Sequence, residues 1–73
     1  RYALPEAQDV TVAVFDLLGR RVQTLADGRQ EAGPHRVTWE GTGASQRRLA
    51  SGTYFLRVST DTKQHVEKVV LVR

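Results

Sequence analysis

The chain has 73 residues, a formal net charge of +3 at pH 7 and no cysteine. A chain of this length makes one small domain that needs nearly every large apolar side chain for its core. The lack of cysteine excludes disulfides, thiolate nucleophiles and thiolate metal sites.

The sequence contains no apolar run of about 18 residues that could span a membrane, and no signal peptide is visible. Because the chain starts at Arg1 instead of methionine, we expect it to be a piece of a longer protein, with residues 1–73 forming a single module.

The positive charge is carried mostly by arginine and is spread along the whole chain. The arginines are Arg1, Arg20, Arg21, Arg29, Arg36, Arg47, Arg48, Arg57 and Arg73. Proteins that bind nucleic acid usually concentrate their basic side chains on one face or one helix. We therefore expect the arginines to face water, and we expect no nucleic-acid partner.

Two short strands are predicted in the first third of the chain. Residues 10–15 alternate valine with smaller or aromatic side chains, which is the pattern of a strand with one apolar face. Residues 21–25 form the next candidate strand, with Val22 on its core side. Asp27 and Gly28 follow as a hairpin dipeptide, because both tolerate a positive φ.

The stretch between these strands, VFDLLGRRV at residues 14–22, admits three interpretations. It could be a hairpin turn, an acidic catalytic or metal loop, or a basic patch. Gly19 can take a positive φ, and the Asp16 side chain can accept hydrogen bonds from backbone N–H groups of its own turn. We predict a hairpin turn whose arginines face water.

The middle of the chain predicts a third strand. Gly33 and Pro34 precede residues 35–40, which alternate with Val37 and Trp39 on one face. This pattern places Trp39 in the core as an anchor.

Residues 41–52 are rich in small and polar side chains and include one residue that looks buried, Leu49. They predict a loop that crosses between two sheets. Its start, Gly41-Thr42-Gly43, is superficially similar to a phosphate loop, but no helix follows whose N-terminal amides could hold an anion.

Two strands joined by a hairpin end the chain. Residues 53–60 alternate again, with Phe55 as an outward-facing exception. The inward side chains of this strand are Tyr54, Leu56 and Val58. Residues 61–63 close the hairpin, and residues 65–72 carry apolar side chains on both parities. Either both faces of this last strand are partly covered or a bulge shifts its register.

Five or six short strands with turns at short intervals predict an all-β fold, an immunoglobulin-like antiparallel β-sandwich. An open barrel is the second choice. The predicted structural core consists of Val10, Val12, Val14, Val22, Val37, Trp39, Tyr54, Leu56 and Val58.

Side chains able to do chemistry are present, but they lack the patterns that catalysis needs. The candidates are His35, His65, the carboxylate pairs Asp9 with Asp16 and Glu40 with Asp61, and the serines Ser45, Ser51 and Ser59. The histidines lack metal-site spacing, the serines lack a nucleophile elbow, and so small a domain has little room for a substrate cleft. We expect no catalytic residue, no cofactor and no metal.

A carbohydrate-binding surface would need two or three coplanar exposed rings. Trp39 and Tyr54 lie on the core parity, which leaves Phe15 and Phe55 as outward rings. These two rings keep a polysaccharide ligand open as an alternative.

Several motifs follow one another in a specific order along the chain. They are Tyr2-Ala3-Leu4-Pro5, the aromatic-Asp-x-x-Gly-Arg turn at residues 15–20, the Trp-Glu-Gly step at residues 39–41, the Ser-Gly-Thr-Tyr-Phe strand start at residues 51–55, and the terminal Lys68-Val69-Val70-Leu71-Val72-Arg73. Together they closely resemble the type A C-terminal sorting domain of the type IX secretion system, over essentially the whole chain. An Ig-like domain of the flagellar hook-capping protein shares much of this pattern.

The resemblance implies a non-catalytic module at the C-terminus of a secreted enzyme or adhesin from a Gram-negative, Bacteroidetes-type bacterium. In such families the cargo crosses the inner membrane, folds in the periplasm and is led by this domain through an outer-membrane translocon. A sortase-like surface protease then commonly removes the domain and attaches the cargo to lipopolysaccharide. The implied location is therefore secreted or at the cell surface.

The resemblance also marks residues for recognition. They are Lys68, Val69, Val70, Leu71, Val72 and Arg73, together with Gly19 and Gly52. Family members usually begin with an additional strand ahead of the Tyr-x-Leu-Pro segment, so we expect part of the first strand to be missing. The alternative function is a carbohydrate-binding or accessory Ig-like spacer module of an extracellular glycoside hydrolase.

Overall fold

The computed structural model describes residues 2–72, with the backbone alone for Gln46, and contains six β-strands in that range. The strands are β1 (Tyr2–Leu4), β2 (Gln8–Phe15), β3 (Arg21–Gln30), β4 (Gly33–His35), β5 (Gly52–Ser59) and β6 (Gln64–Leu71). A short 3₁₀ helix, Ala44–Gln46, lies in the loop between β4 and β5. The predicted all-β class is therefore confirmed.

The strands form two antiparallel sheets that pack as an Ig-like sandwich. One sheet has four strands in the order β3-β2-β5-β6, and the other pairs β1 with β4. Leu4 of the small sheet packs against Val10 and Val12 of β2, so the core lies between the sheets. The central position of β2 follows from its sequence, because a valine stands at every second residue from Val10 to Val14 and these valines are buried on the side of the small sheet.

The deepest side chains all belong to β2. Val10, Val12 and Val14 are at most 1% exposed, and each contributes about 1.5–3 kcal/mol by leaving water. Partly buried apolar side chains surround this group. They are Tyr2, Leu25, Ala26, Val37, Leu56 and Val58.

A second contact joins Trp39 to Tyr54 of β5. Their rings meet edge to face, with centroids 5.2 Å apart and planes at 67°. Trp39 Nε1 donates a hydrogen bond to the carbonyl of Thr42 at 2.8 Å, and the Tyr54 hydroxyl donates to the carbonyl of Ala50 at 2.7 Å. Tyr54 is buried and Trp39 is half-buried, so both rings tie the long loop to the large sheet.

β3 is longer than predicted, and it contains Asp27 and Gly28. Asp27 pairs with Thr11 and Gly28 pairs with Val10, so the predicted hairpin at this dipeptide is wrong. Gly28 has a φ of +144°, which side-chain-bearing residues rarely adopt. The dipeptide therefore indicates an unusual backbone conformation within β3, and the chain turns only after Gln30.

Two bulges interrupt β3, at Leu25 and at Val22, where its register against β2 shifts by one residue. Each bulge restarts the alternation of faces, so Gln23 lies opposite the buried Val14. Val22 itself is half-buried and lies at a bulge. Local alternation cannot show a bulge, because a bulge is defined by the pairing with β2.

The predicted strand at residues 35–40 overlaps the observed β4 only at His35, so the prediction is wrong for residues 36–40. β4 ends at His35, which pairs with Tyr2 of β1. Residues 36–40 have no strand to pair with among the described residues. Their burial still alternates as predicted, with Val37 and Trp39 half-buried and their neighbours exposed.

β6 pairs with β5 in one unbroken register, from Gly52 opposite Leu71 to Ser59 opposite Gln64. The sequence left a bulge open as one explanation of the apolar residues on both parities, and the structure shows no bulge here. Valines on the outer face of the sheet stay in water instead. Val66 is 50% exposed and Val70 is 61% exposed.

Candidate functional site

The residues predicted for recognition gather at one end of the four-stranded sheet. Gly52 pairs with Leu71, and Phe55 pairs with Lys68 on one side and with Phe15 on the other. The turn that contains Gly19 directly follows β2 at this same end. We call this part of the sheet the turn end, made of residues 15–20, 52–55 and 68–72. Arg73 lies outside the described residues.

The turn at residues 16–20 is built around Asp16, as the sequence predicted. Asp16 Oδ1 accepts hydrogen bonds from the backbone N–H groups of Leu18 and Arg20, each at 2.9 Å. Asp16 Oδ2 accepts from Arg20 Nε at 2.9 Å. Gly19 has a φ of +81° and donates its N–H to the Asp16 carbonyl at 3.0 Å, which closes the turn.

These hydrogen bonds set the charge state of Asp16. The backbone N–H of Arg20, helped by its guanidinium and by the Leu18 N–H, lowers the pKa of the Asp16 carboxyl below its ordinary value, and partial desolvation opposes this shift. Both carboxylate oxygens are engaged within the turn. Asp16 is therefore a structural acceptor that holds the turn closed, and the acidic catalytic interpretation of this segment has no geometric support.

The tip of the turn presents two apolar side chains that the sequence interpretation did not single out. Leu17 is 69% exposed and Leu18 is 77% exposed. At the same end of the sheet, Val72 is 82% exposed. Leucines in a hairpin turn cannot reach the core. Two leucines inside a predicted turn are therefore the feature of the sequence that could have indicated an exposed apolar contact surface.

The outer face of the turn end combines aromatic rings with cations. The guanidinium carbon of Arg57 lies 4.3 Å from the centroid of the Phe15 ring, and that of Arg21 lies 5.7 Å from it. Phe55 is paired between Phe15 and Lys68 and is half-buried. The guanidinium groups cover the Phe15 ring, so the two phenylalanines do not form an open flat platform.

A groove of about 200 Å³ opens between the small sheet and β6. Its floor is apolar and includes Leu4, Leu56 and Val58, while polar side chains line its mouth. At the mouth, His65 Nε2 lies 3.1 Å from Glu67 Oε1, and both side chains are mostly exposed.

The structure also places His35 and the carboxylate pair Asp9 and Asp16. His35 stacks on Tyr2 with ring centroids 5.4 Å apart and donates from Nε2 to the Glu31 carbonyl at 2.7 Å. Asp9 and Asp16 are separated by the length of β2, about 23 Å at a rise of about 3.3 Å per residue. That span is too long for a pair of glycosidase carboxylates.

Residues 2–72 offer neither a metal site nor a membrane-spanning helix. Within that range no cluster of three His, Asp or Glu side chains could hold a metal ion. The same range contains no helix long and apolar enough to cross a membrane.

No curated protein and no solved structure matches the chain. The sequence profile of the FlgD Ig-like domain matches residues 1–64, which covers β1 to β5 and stops at the first residue of β6. The sandwich of two antiparallel sheets agrees with that match, and the chain belongs to the FlgD Ig-like domain family.

Proposed function

We propose that this domain is a non-catalytic sorting and anchoring module, which directs a larger exported protein through type IX secretion to the cell surface. The observation that carries the proposal is the position of β6, which is the outermost strand of the large sheet and pairs with β5 alone among the described residues. Another protein can bind a strand in this position by adding a strand of its own to the sheet edge, and this needs no pocket. We call β6 the handle in this sense.

Three features support this proposal. The motif order resembles the sorting domains, and the residues marked by that resemblance lie together at the turn end of the sheet. The exposed Leu17, Leu18, Val70 and Val72 add an apolar surface there, as expected of a surface that binds a protein. The partners are then an outer-membrane translocon, a sortase-like surface protease and an N-terminal cargo domain.

The experiment is a fusion of residues 1–73 to a reporter that carries its own N-terminal export signal, expressed in a host with this secretion system. We expect the reporter at the cell surface or in the medium. Retention of the intact fusion in the periplasm would overturn the proposal.

Deletion of residues 68–73 removes half of β6 and should stop export, but it also weakens the sheet. Point variants on the surface therefore show whether export fails because the binding edge is changed or because the domain does not fold. Val70→Lys changes an exposed side chain, so the domain should fold and export should still fall. Ala32→Lys places the same charge at an exposed position between β3 and β4 and should leave export unchanged.

A further inference from the structure

The open edge of β6 has a chemical pattern as well as a shape. Alternate residues of an edge strand present unpaired N–H and C=O groups to solvent. On the outer face, β6 carries Val66, Lys68 and Val70 in a row, opposite Arg57, Phe55 and Thr53 of β5. This row reads apolar, cationic, apolar from one end to the other.

A second copy of the chain is a poor occupant of this edge. In an antiparallel pair, two residues that face each other both turn their backbone groups toward the other strand or both turn them away. When two copies of β6 pair with each other, an even-numbered residue can therefore face only an even-numbered residue, and an odd-numbered residue only an odd-numbered one. If Val66 faces Val70 of the second copy, then Lys68 faces Lys68.

The neighbouring register is no better, because it sets Glu67 against Glu67 of the second copy. Like charges directly opposite each other on adjacent strands are destabilising. Registers shifted further leave part of β6 unpaired. Lys68 and Glu67 thus protect β6 from self-association while the backbone edge remains open.

The surrounding charge favours an acidic side chain in the occupant. Arg57 and Arg21 lie on the same outer face as Lys68, over and beside the Phe15 ring. The carboxylates of this face, Asp9 and Asp27, lie at the far end of the sheet from Lys68. An acidic side chain placed opposite Lys68 therefore meets a cationic neighbourhood.

The geometry points to a specific occupant: an antiparallel strand from another polypeptide whose outward residues are apolar, acidic and apolar at alternate positions. Its acidic residue faces Lys68, and its two apolar residues face Val66 and Val70. The added strand extends the four-stranded sheet by backbone hydrogen bonds, and the three side-chain pairs select its sequence. This inference rests on the proposed role of β6 as a handle and names the chemistry that the handle accepts.

Two peptides test it, TVTETVT and the charge-reversed TVTKTVT, titrated into the ¹⁵N-labelled chain and followed by amide chemical shifts. We expect TVTETVT to shift the amides of β6 and to bind about fivefold more tightly than TVTKTVT, from one cross-strand charge pair. Lys68→Glu should reverse this preference. Lys68 is exposed, so the variant should keep the amide dispersion of the folded chain.

Lys63→Glu is the matched control, because it makes the same charge change at an exposed position in the turn between β5 and β6. It should leave the preference for TVTETVT intact. The inference is overturned if neither peptide binds, if the shifted amides lie outside β6, or if Lys68→Glu keeps the wild-type preference.

The peptide titration and the secretion assay can fail independently. If TVTETVT binds at β6 but the reporter fusion stays in the periplasm, the sorting function fails and the strand-binding edge stands. If the fusion is exported but the peptides do not bind, the translocon uses another surface and this inference fails.

Discussion

The two edge strands of the large sheet are β3 and β6, and they differ in almost every feature that controls strand pairing. β3 has two bulges and a glycine with an unusual backbone, and residues 38–45 lie alongside it. Gln23 of β3 donates hydrogen bonds to the carbonyls of Thr42 and Gly43. β6 has an unbroken register, has no second strand beside it within residues 2–72, and carries the exposed Val66 and Val70.

The comparison shows that the β3 edge is blocked by its geometry, whereas the β6 edge is protected from self-association only by its charged side chains. Bulges twist an edge away from a new strand, and a loop covers it. Charged residues in a regular edge discourage copies of the same strand but leave the backbone available to a complementary one. A sheet protected in this way is selective toward partners at β6 and closed to them at β3.

The largest expected effect comes from removing the brace beside β3. Trp39→Ala deletes the edge-to-face contact with Tyr54 and the hydrogen bond to Thr42, and we expect a loss of about 2–3 kcal/mol in the free energy of unfolding. Urea denaturation followed by circular dichroism measures this loss. Trp39→Phe keeps a ring but not the N–H donor, so it should lose about 1 kcal/mol.

Equal stability of Trp39→Ala and the wild-type chain would show that the long loop is not held to the sheet through this side chain. A small domain has a total stability on the order of 5 kcal/mol, so the expected loss is large enough to be measured without ambiguity.

The next effect concerns the charge that guards β6. Lys68→Val removes the like-charge contact between two copies and lines up three valines on the outer face, so we expect concentration-dependent dimers by analytical ultracentrifugation. Thr24→Val is the matched control on β3, where a valine is added to an exposed position next to the bulges. It should remain monomeric.

Dimers of both variants would mean that the bulges do not close the β3 edge. A Lys68→Val chain that stays monomeric at high concentration would mean that charge is not what keeps copies of β6 apart.

The smallest effect is the pH dependence of the turn that joins β2 to β3. Because folding lowers the pKa of Asp16, its ionised form stabilises the folded chain above the unfolded pKa of about 3.9, and this stabilisation is lost as the pH falls through the lower folded pKa. Asp16→Asn should therefore melt below the wild-type chain at pH 5–7, with the gap narrowing below about pH 4.

Thermal melts across this pH range measure the difference in melting temperature. In chains that carry Arg20→Gln, this difference should be smaller, because the guanidinium that pairs with the Asp16 carboxylate is gone. A gap that widens in acid would contradict the assigned direction of the pKa shift.

The sequence predicted the features that depend on near neighbours. The alternating valines of β2 and the alternation in β5 specify two central strands, and Asp16 and Gly19 specify the turn at residues 16–20, because strand period and turn chemistry are local. The motif order also predicted the Ig-like family relation that residues 1–64 confirm.

The sequence did not predict features that depend on which strands pair. The bulges in β3, the placement of Asp27 and Gly28 inside that strand and the end of β4 at His35 are all consequences of registers with distant segments. For β6 both parities are apolar, so only its pairing with β5 decides which valines stay in water. The open edge became visible only with the strand order.

The pairing of β2 with β5 has a consequence for how quickly the chain folds. Val14 meets Leu56 across 42 residues of sequence (56 − 14), and closing a loop of this length costs about 3 kcal/mol of entropy before the core repays it. The hairpins β2–β3 and β5–β6 are local and can form early, whereas the joint between them is the slow step. We therefore expect β6 to be already seated on β5 when the two halves of the sheet meet, so that the handle is complete as soon as the domain is.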